Sequence, residues 1–285
     1  LIGRRIMANA AACAPGWRVI GLTRAELDLE DDAAVVRRFR EDAPSVVIHC
    51  AGLTRSPACE ADPEAAWRAN VEVTARLAGL AQGGRLLFFS TDLVFDGTRG
   101  MYREEDAVNP LGVYGRSKAE AEVQALRRPA HRVLRTSLNY GESATGDRAF
   151  NEELVRQWRA GRVPGLFVDE YRCPIGAEVT ARIAWRLALA TDSALGIGGG
   201  EPAARIFHVA GTERLSRLEI GRLIAALHPE LNPGMTAGSL KDYRGGPRPA
   251  DTSLDCRKVE RVLGLSLPRF SEWLAAGAGP DAWNG

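Results

Sequence analysis

Short apolar runs rich in β-branched residues recur along the first half of the chain, and amphipathic stretches lie between them. The apolar runs predict strands over residues 18–22, 45–50, 85–90 and 132–135. The amphipathic stretches predict helices over residues 32–41, 63–81 and 114–126. Because strands alternate with helices, the pattern indicates an α/β protein whose doubly wound parallel sheet is covered on both faces.

The chain opens on a helical pattern rather than a strand. Ile2, Ile6 and Ala10 follow one another at helical spacing, and the sequence begins at Leu1 without an initiator Met. A sheet of this kind needs a central first strand, so we expect the natural protein to begin several residues upstream. A natural protein whose mass corresponds to a start at Leu1 would contradict this expectation.

The regular alternation weakens after residue 138, where Gly/Pro-rich stretches become frequent. A helix over 179–190 and a strand over 205–210 are the main regular elements expected there. We predict a dinucleotide-binding domain at 1–138, to which 175–211 returns. The smaller substrate-binding part would comprise 139–174 and 212–285.

Charge and composition exclude several classes of protein. The formal net charge is +1, so no global field would gather nucleic acid or an anionic membrane surface. No apolar run approaches the roughly 18 residues of a membrane span, which favours the cytoplasm. The five cysteines lack metal-ligand spacing, so we expect reduced thiols and no metal site.

Tyr114 and Lys118 lie one helical turn apart, so their side chains leave the same helix face. A cation near a phenol favours the phenolate, and brings the phenol closer to the pH range in which it exchanges a proton with a ketone oxygen. The composition alone would give about 0.05 such pairs by chance. This spacing predicts proton transfer by Tyr114.

Thr91 stands at the end of a predicted strand, two dozen residues before Tyr114. In an open parallel sheet, ligands bind outside the carboxyl ends of the strands. A hydroxyl donor there would stabilise the oxygen on which charge develops during hydride addition. Thr91 is therefore a catalytic candidate, and its alternative is a plain Ser-Thr-Asp turn.

Two further segments indicate a nicotinamide cofactor. Gly3, which opens a helix before an apolar strand, fits the last glycine of a dinucleotide fingerprint. The segment Gly21-Leu22-Thr23-Arg24 offers an arginine instead of a carboxylate for the ribose, which suits a 2′-phosphate and favours NADPH over NADH; the alternative is a solvated turn arginine. Asp28 and Leu29 would then flank the adenine.

Several ordered motifs resemble the dTDP-4-dehydrorhamnose reductase family of extended short-chain dehydrogenase/reductases across nearly the whole chain. The resemblance rests on the following segments of this sequence: Ser90-Thr91-Asp92-Leu93-Val94-Phe95-Asp96-Gly97, Tyr102, Glu104, Asp106, Asn109-Pro110, Tyr114-Gly-Arg-Ser-Lys118, Glu122, Arg248-Pro249-Ala250, Ser253-Leu254-Asp255, Lys258 and 263–273.

The resemblance implies a Rossmann-type fold and reduction of the C4 keto group of a nucleotide-linked sugar by NADPH or NADH. It implies that Thr91, Tyr114 and Lys118 form the catalytic triad, with Lys118 also holding the nicotinamide ribose. Two segments would contact the cofactor, Ala51-Gly52-Leu53 and Thr136-Ser137. No metal is required, and the family suggests a homodimer.

The sequence departs from the family at the substrate side. Leu93 and Leu138 stand where the family usually has tyrosine and tryptophan, and residues 169–174 replace its Asp-Gln-x-Gly-x-Pro pattern. Loss of an aromatic platform would reshape the sugar pocket. Arg172, in the altered loop, is a candidate ligand for a phosphate or carboxylate, and the alternative is an exposed loop arginine.

Two other functions share some of these features. A sugar-nucleotide epimerase or dehydratase also needs the Tyr/Lys pair, but dehydration calls for a second acid after the threonine, where this chain has Asp92 followed by Leu93. A non-catalytic NADP-binding regulatory subunit, similar to the β subunit of methionine adenosyltransferase, is the other alternative. An intact Thr91/Tyr114/Lys118 set favours catalysis over binding alone.

Overall fold

A parallel four-stranded sheet forms the centre of the protein. The computed structural model describes residues 1–198, 201–279 and 283, so parts of the predicted C-terminal segment lie outside the described residues. The strands, in chain order, are β1 (Val46–His49), β2 (Arg85–Thr91), β3 (Arg132–Thr136), β4 (Asn139–Tyr140), β5 (Gly165–Phe167), β6 (Tyr171–Arg172), β7 (Ile175–Gly176), β8 (Ile206–Val209), β9 (Leu215–Ser216) and β10 (Thr236–Gly238).

The helices cover both faces of this sheet. In chain order they are α1 (Ile2–Ala8), α2 (Ala10–Cys13), α3 (Asp32–Asp42), α4 (Ser56–Ala61), α5 (Pro63–Trp67), α6 (Val73–Leu80), α7 (Val113–Leu126), α8 (Phe150–Arg159), α9 (Ala177–Leu189), α10 (Arg217–Ala225), α11 (Arg257–Leu263) and α12 (Phe270–Ala275). A π-helical turn, Arg68–Glu72, joins α5 to α6, and short 3₁₀ turns lie at Asp92–Val94, Pro202–Arg205 and Pro229–Leu231.

The main sheet has the strand order β1-β2-β3-β8, and every pairing in it is parallel. Alternate residues of β2 pack into opposite layers, because successive side chains of a strand point to opposite faces. Leu86 and Phe88 join the core beneath α3, α6 and α7, whereas Leu87 and Phe89 join the core beneath α9. The predicted α/β class with a parallel sheet is confirmed.

The strand predicted over 18–22 is wrong. These residues form an irregular segment in which Ile20 and Leu22 are exposed, at 37% and 42%. A strand exists only through pairing with a neighbour, and among the described residues nothing pairs with this segment. Val46–His49 likewise pairs with Arg85–Phe88 along one edge only in the described part of the chain.

The second half of the chain builds small sheets beside the main one. β4 pairs with β7, β5 with β10, and β6 runs antiparallel to β9. Four aromatic rings pack together beside them, from Tyr140, Phe150, Phe270 and Trp273. Across the described ranges, no helix is long and apolar enough to cross a membrane.

Candidate active site

Three predicted segments meet at the carboxyl edge of the main sheet. Ala51 follows β1, Thr91 ends β2, and Ser137 follows β3 directly. The parallel register aligns Thr91 with Thr136, so the ends of β2 and β3 are level. Parallel strands deliver their carboxyl ends to one edge, which is where an open α/β sheet binds its ligands.

Helix α7 carries Tyr114 and Lys118 to this edge. Its N-cap residue, Gly112, has no side chain to cap the helix. The carboxylate of Glu60 supplies the missing acceptor, because its Oε1 takes a hydrogen bond from the backbone N–H of Val113 at 2.7 Å. The side chain of Glu60 on α4 thus holds the start of α7 in place.

Lys118 is buried, with only 4% of the residue exposed. Its Nζ lies 4.0 Å from the centre of the Phe88 ring. Burial lowers the pKa of Lys118 to about 7, and the negative charge of Glu122 acts in the opposite direction. The pKa of this amine therefore lies close to neutral pH.

The Tyr114 phenol lies beside the hydroxyl of Thr91. Burial raises the pKa of Tyr114, and the Thr91 hydroxyl partly offsets this rise. Asp92 also raises this pKa, whereas Arg172 lowers it. The structure thus brings together the predicted triad of Thr91, Tyr114 and Lys118, while the catalytic roles of these residues remain predictions.

Arg172 was expected to be a candidate ligand for a phosphate or carboxylate, but its guanidinium is already paired within the protein. Its guanidinium makes a two-pronged contact with the Asp92 carboxylate, Nε to Oδ2 at 2.7 Å and Nη2 to Oδ1 at 2.5 Å. Both residues are buried, at 7% and 0% exposure. The pair has no local sequence signal, because 80 residues separate the partners along the chain.

Asn70 is a functional candidate that the sequence analysis missed. It lies in the π-helical turn, where its Oδ1 accepts from the Leu53 N–H at 2.8 Å and its Nδ2 donates to the Leu53 carbonyl at 3.0 Å. The same Nδ2 donates to Ser117 Oγ, next to Lys118, at 2.8 Å. Asn70 therefore connects the predicted cofactor loop to α7, the helix that carries Tyr114 and Lys118. A π turn often marks a functional site, but it has no clear sequence signal.

The other predicted cofactor residues lie around this edge or on its exposed flank. A Cβ built on Gly3 would lie 3.9 Å from the Cys50 side chain, so α1 packs close to the end of β1. Arg24 has an 80% exposed side chain beside the exposed Asp28, and Leu29 is half-buried. Their contacts with a cofactor remain predictions.

Some residues of the family signature have structural partners instead of facing the site. Asp96 accepts hydrogen bonds from the Tyr102 hydroxyl at 2.6 Å and from the Asn109 amide at 3.0 Å. The Lys258 ammonium donates to the carbonyls of Ala203, Ala204 and Ile206 at 2.6, 3.1 and 2.6 Å. These contacts shape the β2–α7 connection and the start of β8.

Gly115 should tolerate no side chain. A Cβ there would lie 2.2 Å from the Leu93 carbonyl oxygen, so α7 would have to move away from the loop after Thr91. We expect Gly115→Ala to destabilise the protein by about 1–3 kcal/mol, as overpacking does. Gly79→Ala is the matched control, since nothing lies within 4 Å of its new Cβ; it should stabilise α6 by about 0.5–1 kcal/mol. Urea unfolding of both variants measures the difference, and equal effects would contradict the close packing.

Comparison with known proteins shows the family to which the chain belongs. The family model described as the RmlD substrate binding domain matches residues 1–278. The dTDP-4-dehydrorhamnose reductase of Sinorhizobium fredii (strain NBRC 101917 / NGR234) is 28% identical over 280 residues, which cover 95% of this chain and 92% of that protein. Methionine adenosyltransferase 2 subunit beta of Danio rerio is 32% identical over 245 residues, covering 84% of this chain and 72% of the relative.

A solved structure shows the same fold. The dTDP-4-dehydrorhamnose reductase from Bacillus anthracis str. Ames in complex with NADP matches with a TM-score of 0.83 and 21% identity, over 96% of this chain and 93% of that one. The Rossmann-type fold and the family resemblance are therefore confirmed. The chain belongs to the RmlD substrate binding domain family, whose relatives include dTDP-4-dehydrorhamnose reductases.

Proposed function

We propose that this protein is an NAD(P)H-dependent reductase that converts a keto group on a nucleotide-linked sugar to an alcohol. The observation that carries the proposal is the Tyr114 phenol, which lies beside Thr91 and one helical turn from the buried Lys118. A phenol so placed is a general acid for a ketone oxygen. The identity to a dTDP-4-dehydrorhamnose reductase supports this class of substrate.

The residues at the sheet edge fit a nicotinamide dinucleotide. Ala51 and Gly52 are exposed and small, which leaves room for a ligand beside the end of β1. The Lys118 ammonium has donors suited to ribose hydroxyls, and Arg24 has an exposed guanidinium suited to a 2′-phosphate. The NADP named with the Bacillus anthracis structure supports the same cofactor.

In the proposed reaction the bound reduced nicotinamide supplies the hydride to the carbonyl carbon. Tyr114 gives its phenolic proton to the carbonyl oxygen, so one C–H and one O–H bond form and the C=O bond becomes single. Lys118 stabilises the resulting phenolate, which regains its proton from solvent. Thr91 places the phenol and can donate to the oxygen as its negative charge develops.

A group of arginines around Glu170 supports the proposal that the substrate contains an anionic nucleotide. Arg217 and Arg248 flank the buried Glu170, with Arg248 Nε donating to its carboxylate at 2.7 Å. The Arg248 guanidinium also lies 5.6 Å from the Tyr243 ring centre. Since Arg172 is neutralised by Asp92, two guanidiniums face one carboxylate here, and the surplus positive charge suits a diphosphate.

The test is oxidation of NADPH with a panel of 4-keto sugar nucleotides. We expect turnover with at least one of them and none with the free keto sugar. NADPH binding without turnover of any ketone would contradict the reductase. Arg248→Ala should raise KM more than it lowers kcat, because it removes binding made equally in the ground and transition states.

The second candidate is a regulatory subunit, and the 32% identity to methionine adenosyltransferase 2 subunit beta favours it. A protein with that role would bind a methionine adenosyltransferase and would not need the Tyr114 phenol. Co-elution with such an enzyme, combined with wild-type behaviour of Tyr114→Phe, would decide for this alternative. The predicted homodimer stays a prediction, which the same chromatography tests.

A further inference from the structure

The first turn of α7, which carries Tyr114, has little means of its own to stay helical. Its N-cap residue is Gly112, which has no side chain to accept a first-turn N–H, and Gly115 follows three residues later. Glycine weakens a helix because it loses more conformational freedom on folding than any other residue. The turn therefore depends on contacts with other parts of the chain.

Two contacts from distant segments hold this turn. Glu60 Oε1 accepts the Val113 N–H at 2.7 Å. On Gly115, a Cβ would collide with the Leu93 carbonyl oxygen, so the Leu93 backbone packs directly against the helix there. A carboxylate at the N-terminus of a helix also interacts favourably with the partial positive charge of the unpaired N–H groups. Glu60 thus supplies the acceptor that Gly112 lacks.

The next turn of α7 is held by other partners. Ser117 Oγ accepts from Asn70 Nδ2 at 2.8 Å and donates to the Tyr114 carbonyl at 2.8 Å. Ser117 and Lys118 are both buried, at 2% and 4% exposure. Lys118 is therefore fixed without Glu60, whereas Tyr114 lies where the two turns join.

We propose that Glu60 is a positioning residue for Tyr114, the proton donor of the proposed reductase. Its carboxylate keeps the first turn of α7 closed, so that the phenol stays where it can reach a ketone oxygen. Lys118 does not need this contact to hold the cofactor. The effect on turnover rests on the proposed reductase function, whereas the hold of Glu60 on α7 does not.

A direct contact between Glu60 and the substrate is the alternative that an experiment must separate. Glu60 is exposed, and a Cβ built on Gly246 would lie 3.9 Å from its Cγ. Gly246 comes two residues before Arg248, which the proposed function assigns to the nucleotide. A lost substrate contact raises KM, whereas lost positioning of the proton donor lowers kcat.

Hydrogen exchange in the isotope-labelled full chain, followed by NMR without cofactor, tests the hold on α7. Glu60→Ala removes the acceptor, so we expect the Val113 amide hydrogen to exchange at least about tenfold faster. The Lys118 amide, bonded within the helix, should exchange as in the wild type. Glu60→Gln keeps an oxygen acceptor and should keep the Val113 rate within about threefold of the wild type. Equal Val113 rates in the wild type and Glu60→Ala would overturn the proposal.

Kinetics with NADPH and a 4-keto sugar nucleotide test the effect on Tyr114. Glu60→Ala should lower kcat by about tenfold with both KM values changed by less than about twofold, because positioning acts mainly in the transition state. Glu60→Gln should recover most of kcat. A raised KM with wild-type kcat in Glu60→Ala would overturn the positioning role, as would a Glu60→Gln variant as slow as Glu60→Ala.

Glu213→Ala is the matched control. Glu213 Oε2 also accepts a first-turn N–H from a distant helix, that of Ser271 in α12, at 2.7 Å. Its loss should weaken the protein as a lost cap does, yet leave kcat within about twofold of the wild type. Rates are normalised to sites counted by NADPH binding, so loss of folded protein does not imitate the effect. If Glu213→Ala were as slow as Glu60→Ala, the cause would be general destabilisation and the proposal would fall.

The two proposals can fail separately. If the wild type reduces no ketone of the panel, the proposed function fails, while hydrogen exchange at Val113 still decides whether Glu60 holds α7. If the wild type is active and Tyr114→Phe is inactive while Glu60→Ala turns over at the wild-type rate, the reductase stands and the positioning role falls.

Discussion

Tyr114→Phe is expected to lose turnover by about 10²–10⁴-fold while binding NADPH as the wild type does, because it removes one phenolic proton and nothing of the ring. The hydroxyl of Tyr114 lies beside Thr91 at the sheet edge, so the substitution removes the proposed proton donor. The measurement is kcat for a 4-keto sugar nucleotide, with NADPH affinity followed by fluorescence.

Tyr140→Phe is the matched control. It removes a phenol hydroxyl from an aromatic cluster formed with Phe150, Phe270 and Trp273, and it should leave kcat within about twofold of the wild type, as substitutions away from the chemistry do. If Tyr114→Phe kept more than about a tenth of the wild-type kcat, the size of general acid catalysis would exclude Tyr114 as the donor.

The sequence predicted well what local pattern determines. The helices expected over 32–41 and 114–126 are found at Asp32–Asp42 and Val113–Leu126, and the strand expected over 85–90 at Arg85–Thr91. In each case the signal comes from residues close together in the sequence, either the spacing of apolar residues or an N-cap such as Asp31. The segment 18–22 shows the limit, since its apolar pattern needs a pairing partner that the described residues do not supply.

The same limit applies to the site, where the sequence predicted residues that are close along the chain but not contacts between distant segments. Tyr114 and Lys118 were found because a helix brings residues four apart to one face. Arg172 was misjudged because its partner, Asp92, comes from a strand end 80 residues earlier. Asn70 was missed because its use depends on a loop and a helix that the fold, and not the spacing, brings to it.

The ion pair also bears on the choice between reductase and dehydratase. Dehydration of a hexose needs a second acid or base near Thr91, and Asp92 is the carboxylate that follows it. Its two oxygens already accept hydrogen bonds from Arg172, Ser137 and Thr91, which leaves this carboxylate little capacity to act on a substrate. The pair therefore supports reduction, by an arrangement that the local sequence around Thr91 does not reveal.

Lys118 and Lys258 are both removed from solvent in part, but they have different partners. Lys118 lies over the Phe88 ring, and burial lowers its pKa from 10.5 to about 7. Lys258 instead donates to three backbone carbonyls. Burial lowers the pKa of both lysines, but within the described residues the Lys118 Nζ makes no such hydrogen bonds, so replacing each lysine by Met should change stability with opposite signs.

Lys118→Met is expected to raise the free energy of unfolding of the cofactor-free protein by about 4–5 kcal/mol at pH 7, from the 1.36 kcal/mol that each unit of pKa shift represents. Because the pKa is lower in the folded state, at about 7 against 10.5, the penalty of Lys118 is fully present below pH 7. It disappears as the pH rises towards 10.5, so the gain of the variant should shrink along the same range.

Lys258→Met should lower the free energy of unfolding by about 1–3 kcal/mol, because it leaves backbone carbonyls unpaired. Urea unfolding at pH 7, 8 and 9 measures both, alongside the loss of turnover expected for Lys118→Met. A gain that does not change with pH would assign the effect to packing against Phe88, and a less stable Lys118→Met would show that this lysine is held by partners that ligand-free folding already supplies.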